Sequence, residues 1–298
     1  MKHTLNMAMS KEVIATVGNF DGVHRGHVGV VAAMAREGRL TGRTPLVVTF
    51  DKHPLEIVAP GRAPKMLCTL SGRVKLLRNL GVEVEVVSFT PELCRLTARE
   101  WLQYLYDMHE VRALMLGYDN RFGSDGHSLT EEDLIRIGSE TGMSVSVGPV
   151  VAGCSSSAAR RAVAAGDMRQ AAEILGRPFM LPGRVVAGRQ LGRKLGFPTA
   201  NIDVAPQLIM PQPGVYAADV AIEGKMRKGV VNIGVRPTVE GDGRLGVELH
   251  VAGFSGNLYG QELRVEFGAR IRDERKFDSL DALKEQIKAD VCSIFIQH

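Results

Sequence analysis

Aromatic side chains are scarce in this sequence: Phe, Tyr and Trp make up 5% of its 298 residues, and Trp occurs once. So few aromatics give no platform on which the bases of a nucleic acid could stack. The formal charge of +4 is too small and too dispersed for a nucleic-acid footprint, although it suits a site for phosphates. We therefore expect small-molecule substrates and no nucleic-acid partner.

Cysteines are also few, and the four of them lie far apart at Cys68, Cys94, Cys154 and Cys292. Because no pair has the spacing of a zinc site or a redox motif, we predict reduced, mostly buried thiols. No apolar run approaches the ~18 residues that a membrane span needs, and the N-terminal segment lacks a signal-peptide core. These absences predict a cytoplasmic protein with no membrane partner.

The first half of the chain alternates between two periodicities. By its length, the chain should form about two domains. Helical patterns separate runs typical of buried strands. This alternation predicts βαβ units and a Rossmann-like, doubly wound parallel sheet, which binds ligands beyond the carboxyl ends of its strands. The predicted strands are 13–17, 44–50, 82–88, 111–116 and 143–150, and the predicted helices are 27–37, 69–79, 98–109 and 130–141.

The loop VGNFDGVHRGH (17–27) follows the first predicted strand and ends where a helix begins. Its glycines allow a tight turn and close approach to a ligand, and the helix N-terminus favours an anion. His24 and His27 can donate hydrogen bonds to phosphoryl oxygens. A lone H-x-x-H is more often a turn with surface histidines, but this context and the H-x-G-H form favour a nucleotide site over zinc. The candidate binding residues are Gly18, Asn19, Phe20, Asp21 and Gly22.

Three further segments are candidates for the same site. FDKHP (50–54) and GYDNRFGSDG (117–126) follow predicted strands. Either could be a plain surface loop, but both fall where the fold places a site. CSSSAARRAVAAGD (154–167) puts serines before a basic helix, where they could bind phosphate with Arg160 or Arg161, or simply cap the helix.

A segment rich in proline and glycine, GRPFMLPG (176–183), precedes a change of texture. After it come short β-like runs separated by turn residues, and one helical segment at 279–296. This pattern predicts a small antiparallel β-barrel with a C-terminal helix. We therefore predict two domains, 1–180 and 181–298.

The densest motif of the second half is GRQLGRKLGFPTANI (188–202). Its basic, glycine-rich part can wrap a polyphosphate but does not match the P-loop. On a strand, Thr199 and Asn201 would point to one face, and their oxygens suit Mg²⁺. Glu248, in VELHV (247–251), could accept a proton from an attacking hydroxyl, although an isolated strand glutamate more often only faces solvent.

Seven motifs resemble one family in their order. They are VGNFDGVHRGH, GYDNRFG, SSSAAR, GRKLGFPTANI, NIGVRPT (232–238), ELH and LYGQELRVEF with IRDERKFDSL. Together they resemble the prokaryotic bifunctional riboflavin kinase/FMN adenylyltransferases, also called FAD synthetases, over nearly the whole chain. The H-x-G-H motif alone indicates only a nucleotidyltransferase, whereas GFPTANI is selective for riboflavin kinase.

For the second half, the resemblance implies transfer of the γ-phosphate of ATP to the 5′-hydroxyl of riboflavin, which gives FMN. Thr199 and Asn201 would hold Mg²⁺, and Glu248 would act as the base. Arg272 and Asp273 would belong to a flap over the flavin. The implied phosphate-binding residues are Gly188, Gly192, Arg193, Lys194, Gly196 and Pro198.

For the first half, the resemblance implies that FMN is joined to AMP from a second ATP, giving FAD and pyrophosphate. His24 and His27 would stabilise the transition state. The polyphosphate would be gripped by Ser156, Ser157 and Arg160, and the flavin would lie near His53, Asp119 and Asn120.

Three departures from the family pattern fall in the adenylyltransferase half: Lys52, Asn120 and Ala158. They predict that FAD formation is the weaker activity, if either is weak. Two alternatives stay open, a kinase whose N-terminal half is a degenerate nucleotide-binding module and a non-enzymatic flavin-binding protein. Whether the chain forms a homo-oligomer also stays open.

Overall fold

The computed structural model describes residues 12–118, 122–188, 192, 196–235 and 245–295. Their contacts divide the chain into two compact units. The first contains the described residues up to Pro64, together with Leu70–Ala152. The second contains Lys65–Thr69 and the described residues from Gly153 onward.

The first unit is built on five parallel strands in the order β3-β2-β1-β4-β5. The predicted doubly wound sheet is therefore confirmed. Its elements in chain order are β1 Val13–Val17, α1 Arg25–Thr41, β2 Thr44–Phe50, α2 Leu55–Val58, α3 Leu70–Arg78, β3 Glu83–Val87, α4 Pro91–Arg95, α5 Ala98–His109, β4 Val111–Leu116, α6 Glu131–Glu140 and β5 Ser144–Val147.

Strand β1 is covered on both faces, which explains why four of its five residues, all but Thr16, are apolar. Ile14 packs in one cluster with Met34 of α1, while Ala15 packs in another with Leu105 of α5. The chain order of the strands reverses between β1 and β4, so the loops that follow these two strands leave the same edge of the sheet as neighbours. The helical turns α2 and α4 were not predicted because four or five residues carry too little periodicity.

The second unit is a closed barrel of six strands in the order β10-β7-β6-β11-β8-β9, with every described pairing antiparallel. This confirms the predicted barrel and its C-terminal helix. The elements are α7 Ser156–Ala164, α8 Met168–Leu175, β6 Phe179–Val186, β7 Thr199–Asp203, β8 Gly214–Ile222, β9 Lys225–Val235, β10 Leu245–Val251, β11 Glu262–Arg272 and α9 Leu280–Ser293.

The proline- and glycine-rich segment 176–183 leads directly into strand β6. Pro182 pairs with Arg264 of β11, and Gly183 lies so close to β7 that an added Cβ would come within 2.5 Å of the Asp203 carbonyl oxygen. Helices α7 and α8 pack in the core of the barrel. The boundary between the two units therefore falls before α7, after Ala152. The border at 180/181 stays a prediction about where the two activities divide.

A short strap, Lys65–Thr69, belongs by its contacts to the second unit. The Met66 N–H donates to the Gln207 carbonyl at 2.8 Å, and the Ile209 N–H donates to the Met66 carbonyl at 2.8 Å. Leu67 is 3% exposed and packs in the barrel's core cluster. Sequence analysis did not predict this placement, because the segment has no periodicity of its own.

A buried ion pair fastens helix α9 to strand β11. The Arg272 Nη2 donates to Asp290 Oδ2 at 2.8 Å, and its Nε donates to Oδ1 at 3.0 Å. The Asp290 side chain is 3% exposed. Gln286 Nε2 also donates to this carboxylate, at 2.7 Å. No helix in the described ranges is long and apolar enough to cross a membrane.

We expect Asp290→Ala to destabilise the barrel by about 3 kcal/mol, because it leaves the Arg272 guanidinium without its counter-charge. Thermal unfolding followed by circular dichroism measures this as a lower midpoint. The control is Glu285→Ala, which removes an exposed carboxylate of the same helix. Equal midpoints for the two variants would contradict the role of the ion pair.

Candidate active sites

The loop after β1 holds two residues in the left-handed backbone region that favours glycine. Phe20 has φ 49° and Val23 has φ 41°, beside Gly22 at 76°. Such a conformation costs a non-glycine residue on the order of 1 kcal/mol or more. Both side chains are buried in the cluster that joins α1 to the sheet, and this burial holds the loop in shape.

The two histidines predicted at this loop lie side by side. His24 is the N-cap of α1, and its Nδ1 accepts from the His27 N–H at 3.3 Å. The imidazole rings stack with centroids 3.6 Å apart, and the Phe20 ring meets His27 edge-on at 5.0 Å. The H-x-G-H spacing thus places both rings at a helix N-terminus, where backbone N–H groups favour a phosphate.

His27 is held in its neutral form. Burial lowers the pKa of His27 well below the ordinary value of 6.5, and the nearby His24 ring and Arg73 guanidinium lower this pKa further. Its Nδ1 is buried without a hydrogen-bond partner. At neutral pH the ring is therefore an uncharged imidazole.

Arg73 of α3 contacts the loop after β1, and sequence analysis did not predict this contact. It is 2% exposed, although the helical run around it resembles any solvated basic helix. Its Nη1 donates to Asn19 Oδ1 at 2.7 Å and also to the Asn19 carbonyl, while its Nη2 donates to the Phe50 carbonyl. One guanidinium therefore joins the ends of β1 and β2.

The two other candidate loops use several polar groups for their own structure. His53 Nδ1 accepts from the Leu55 N–H at 3.1 Å, which closes the first turn of α2. Asp125 Oδ1 accepts from the Ala98 N–H at 2.8 Å, at the start of α5. Asp119 and Asn120 lie outside the described residues, so a flavin site at these two positions stays a prediction.

The serine segment begins α7, in the second unit. Ser155 is the N-cap, and its Oγ accepts from the Ala158 N–H at 3.1 Å. Ser156 and Ser157 form the first turn, and Arg160 lies one turn further along the helix. Capping, the alternative left open by the sequence, thus falls to Ser155, and phosphate binding by the other three residues stays a prediction.

On the barrel, the predicted metal ligands and the predicted base lie on adjacent strands. Asn201 of β7 pairs with Glu248 of β10, which pairs on its other side with Asn232 of β9. Thr199 pairs in the same way with His250. Residues directly opposite one another share a face of the sheet. This oxygen-rich row faces outward, because the alternate residues of β7 and β10 pack in the core.

Two glycines lie against this row. An added Cβ at Gly188 would come within 2.0 Å of Asn201 Nδ2, and one at Gly192 would come within 3.2 Å of Thr199 Oγ1. An alanine at either position would therefore displace a neighbour: the Asn201 amide at 188, and at 192 the Phe197 carbonyl oxygen, which lies 2.3 Å from the added Cβ. Arg193 and Lys194 of the same motif lie outside the described residues.

His250 holds the FPTAN segment in place. Its Nδ1 donates to the Pro198 carbonyl at 2.9 Å, and its ring meets Phe197 edge-on at 5.4 Å. A cavity of about 470 Å³ adjoins this turn and is lined in part by Pro198, Thr199, Phe254 and Tyr259. This mixture of apolar and polar lining suits the base and sugar of a nucleotide.

The predicted flap residues are engaged in ion pairs. Arg272 binds Asp290, as described above, and Asp273 Oδ1 lies 2.6 Å from Arg270 Nη2. A flavin contact by either residue stays a prediction.

Comparison with known proteins identifies both halves. Residues 6–158 match the family model described as FAD synthetase, and residues 175–294 match the one described as riboflavin kinase. A "bifunctional riboflavin kinase/FMN adenylyltransferase" from Escherichia coli K12 is 39% identical, over 97% of this chain and 93% of that protein. One from Bacillus subtilis is 32% identical, over 97% and 93%.

A solved structure called a macrolide-efflux protein, from Streptococcus pneumoniae, has a TM-score of 0.88 to this chain. It is 29% identical and is matched over 97% of this chain and 96% of its own. The fold is thus shared along nearly the whole length. The chain belongs to the bifunctional riboflavin kinase/FMN adenylyltransferase family, as its motifs predicted, and is a transferase.

We expect the His27 ring to stay neutral well below pH 6.5 in the folded chain, whereas the unfolded chain takes up this proton near 6.5. The unfolded state then binds more protons, so the free energy of unfolding falls as the pH drops through 6.5. NMR of ring-labelled histidine measures the titration. The pH dependence of unfolding should be shallower in His27→Gln. A His27 midpoint at 6.5 in the folded protein would contradict this prediction.

We expect Gly188→Ala to lower riboflavin phosphorylation about tenfold or more, because the added methyl displaces the Asn201 amide. Adenylylation of supplied FMN by the same protein is the internal control and should stay within about twofold. Equal rates of phosphorylation in the variant and the unchanged chain would show that Asn201 is not needed where the structure places it.

Proposed function

We propose that the chain makes FAD in two steps, with the barrel phosphorylating riboflavin to FMN and the sheet unit adenylylating FMN. One observation supports this proposal: each unit has its own group of polar side chains that suits transfer of a phosphoryl group. The barrel has the row Asn201–Glu248–Asn232, and the sheet unit has the stacked pair His24 and His27 at the N-terminus of α1.

In the barrel, Glu248 would accept the proton of the riboflavin 5′-hydroxyl as its oxygen attacks the γ-phosphorus of ATP. The glutamate is exposed and lies between two amide side chains that can orient the hydroxyl and the phosphate. Phosphoryl transfer needs mainly positioning and charge stabilisation. The cavity beside Thr199 would hold the adenosine part of ATP, and Gly188, Gly192, Gly196 and Pro198 would line the path of its phosphates.

Mg²⁺ fits the outward row. It prefers oxygen ligands and usually takes one or two carboxylates together with substrate phosphates. The row offers the Thr199 hydroxyl, the Asn201 amide oxygen and one carboxylate, and a cluster of three acidic, His or Cys ligands is absent from the described residues. Thr199 and Asn201 would therefore hold a magnesium ion that is largely bound by ATP. When bound, it would neutralise charge on the phosphates.

In the sheet unit, a phosphate oxygen of FMN would attack the α-phosphorus of ATP, and pyrophosphate would leave. This oxygen is already an anionic nucleophile, so no strong base is required. The neutral His27 and its neighbour His24 would donate hydrogen bonds to the oxygens on which charge builds. Gly18 and Gly22 allow close approach of the backbone, and Asn19 offers an amide N–H that is buried without a partner. Ser156, Ser157 and Arg160 stay predicted phosphate-binding residues at the start of α7.

The remaining assignments follow the sequence. Residues 1–180 would carry adenylylation and 181–298 phosphorylation. At the adenylylation site, the flavin would contact His53, Asp119 and Asn120. At the phosphorylation site, it would contact Arg272 and Asp273. The cytoplasmic location predicted from the sequence stays a proposal.

A chromatographic assay with reciprocal variants tests the proposal. Each protein is incubated with riboflavin, ATP and Mg²⁺, or with FMN in place of riboflavin, and both products are followed. Glu248→Gln should lower FMN formation by about 10²-fold or more, as expected on loss of a general base, and still convert supplied FMN into FAD. His24→Ala should show the reverse. Glu262→Gln, an exposed glutamate at the start of β11, is the control.

The outcomes separate the alternatives. FMN that accumulates without FAD, even when FMN is supplied, would mean a kinase with a degenerate N-terminal half. Flavin binding with neither product would mean a binding protein. Loss of both activities on either single substitution would contradict two separate sites.

A further inference from the structure

We propose that Arg73 is a positioning residue for adenylyl transfer, and that it acts by orienting the side-chain amide of Asn19 toward the phosphates. This inference rests on the proposed function, which places Asn19 among the nucleotide-binding residues. Arg73 itself lies beneath the loop, on α3, and need not touch a substrate.

The orientation of the Asn19 amide follows from its contacts. Arg73 Nη1 donates to Asn19 Oδ1 at 2.7 Å. An amide oxygen accepts and an amide nitrogen donates, so this contact fixes which end of the amide faces the guanidinium. Asn19 Nδ2 is left on the other side, buried and without a hydrogen-bond partner. A buried donor without a partner is costly unless a ligand satisfies it, and a phosphoryl oxygen would do so.

The same guanidinium fixes the backbone of the loop. It donates to the carbonyl of Asn19, in the loop just beyond β1, and to that of Phe50, the last residue of β2. Thr49 Oγ1 also donates to the Asn19 carbonyl, at 3.2 Å. The planar fork of arginine can bond several acceptors at once, whereas lysine cannot reproduce this geometry. The geometry of Arg73, as well as its charge, is therefore needed.

Burial of a cation at this position is unfavourable, and an apolar side chain could fill the same space in the core without the loss of hydration. Leu77, one turn further along α3, is buried among apolar side chains and serves packing alone. Arg73 instead donates hydrogen bonds to Asn19, in the loop that leads to the histidines, and to the Phe50 carbonyl. A buried cation at such a position suits a role in the site better than a role in packing.

The experiment uses the full chain and compares Arg73→Met, Arg73→Lys, Asn19→Ala and the double variants. We expect Arg73→Met to lower kcat for FAD formation from FMN by about 10- to 100-fold, while KM for ATP changes by less than about threefold. Arg73→Lys should fall nearly as far, because it keeps the charge but not the fork. Thermal unfolding followed by circular dichroism reports whether each variant is folded, because riboflavin phosphorylation would report on the barrel unit alone.

Arg78→Met is the matched control, since Arg78 is an exposed arginine on the same helix. It should leave both activities within about twofold of the unchanged chain. If Arg73→Met fails to fold, Arg73→Lys and its double variant carry the test alone.

The double variants decide whether Arg73 acts through Asn19. If it does, replacing Arg73 in the Asn19→Ala background should cost less than about threefold further. Any of three results would overturn the inference. The effects of the two substitutions could multiply in the double variant, Arg73→Lys could keep full activity, or the kcat of Arg73→Met could stay within twofold of the unchanged chain. If Asn19→Ala keeps full FAD formation, the proposed nucleotide role of Asn19 fails instead, and the action of Arg73 through it fails with it.

Discussion

The two-residue period of β-strands determines where each half of this chain can place its chemistry. Both faces of β1 are covered, so Ile14 and Ala15 point into different apolar clusters, and Thr16, the one polar residue of the strand, is buried as well. Function is then confined to the point where the strand ends. In the barrel only one face of each strand packs in the core, and Glu248 can stand in the middle of β10. The two sites differ in position for this single reason.

This difference also explains what the sequence could predict. Thr199 and Asn201 alternate along one segment, and Glu248 and His250 alternate along another. Alternation is a local property, so the common face within each pair was predictable, whereas the pairing of Asn201 with Glu248 depends on strand order. The strand–loop–helix context of His24 and His27 is local as well. The cross-strand partner Asn232 was within a quoted motif, but its place beside Glu248 depends on strand order, which the sequence does not give.

Long-range contacts account for what was missed. Arg73 reaches Asn19 across 54 positions of the chain, and nothing in its own helix distinguishes it from a solvated arginine. The proline and glycine residues of 176–183 are typical of a linker, yet strand β6 accommodates Pro182, and Gly183 allows close approach of β7. Composition shows where the chain changes from helical to strand-like segments, but it does not show in which core a helix such as α7 packs.

The strap Lys65–Thr69 has a consequence for how the protein can be divided. Its Leu67 is part of the barrel's core, while the residues before and after it in the chain belong to the sheet unit. A fragment that starts at Gly153 therefore lacks a piece of its own interior, and a fragment that ends at Ala152 carries an apolar segment with nothing to cover it. The two family matches follow one another along the chain. The two folded units do not, because Lys65–Thr69 belongs to the barrel unit, so no single cut in the chain separates them.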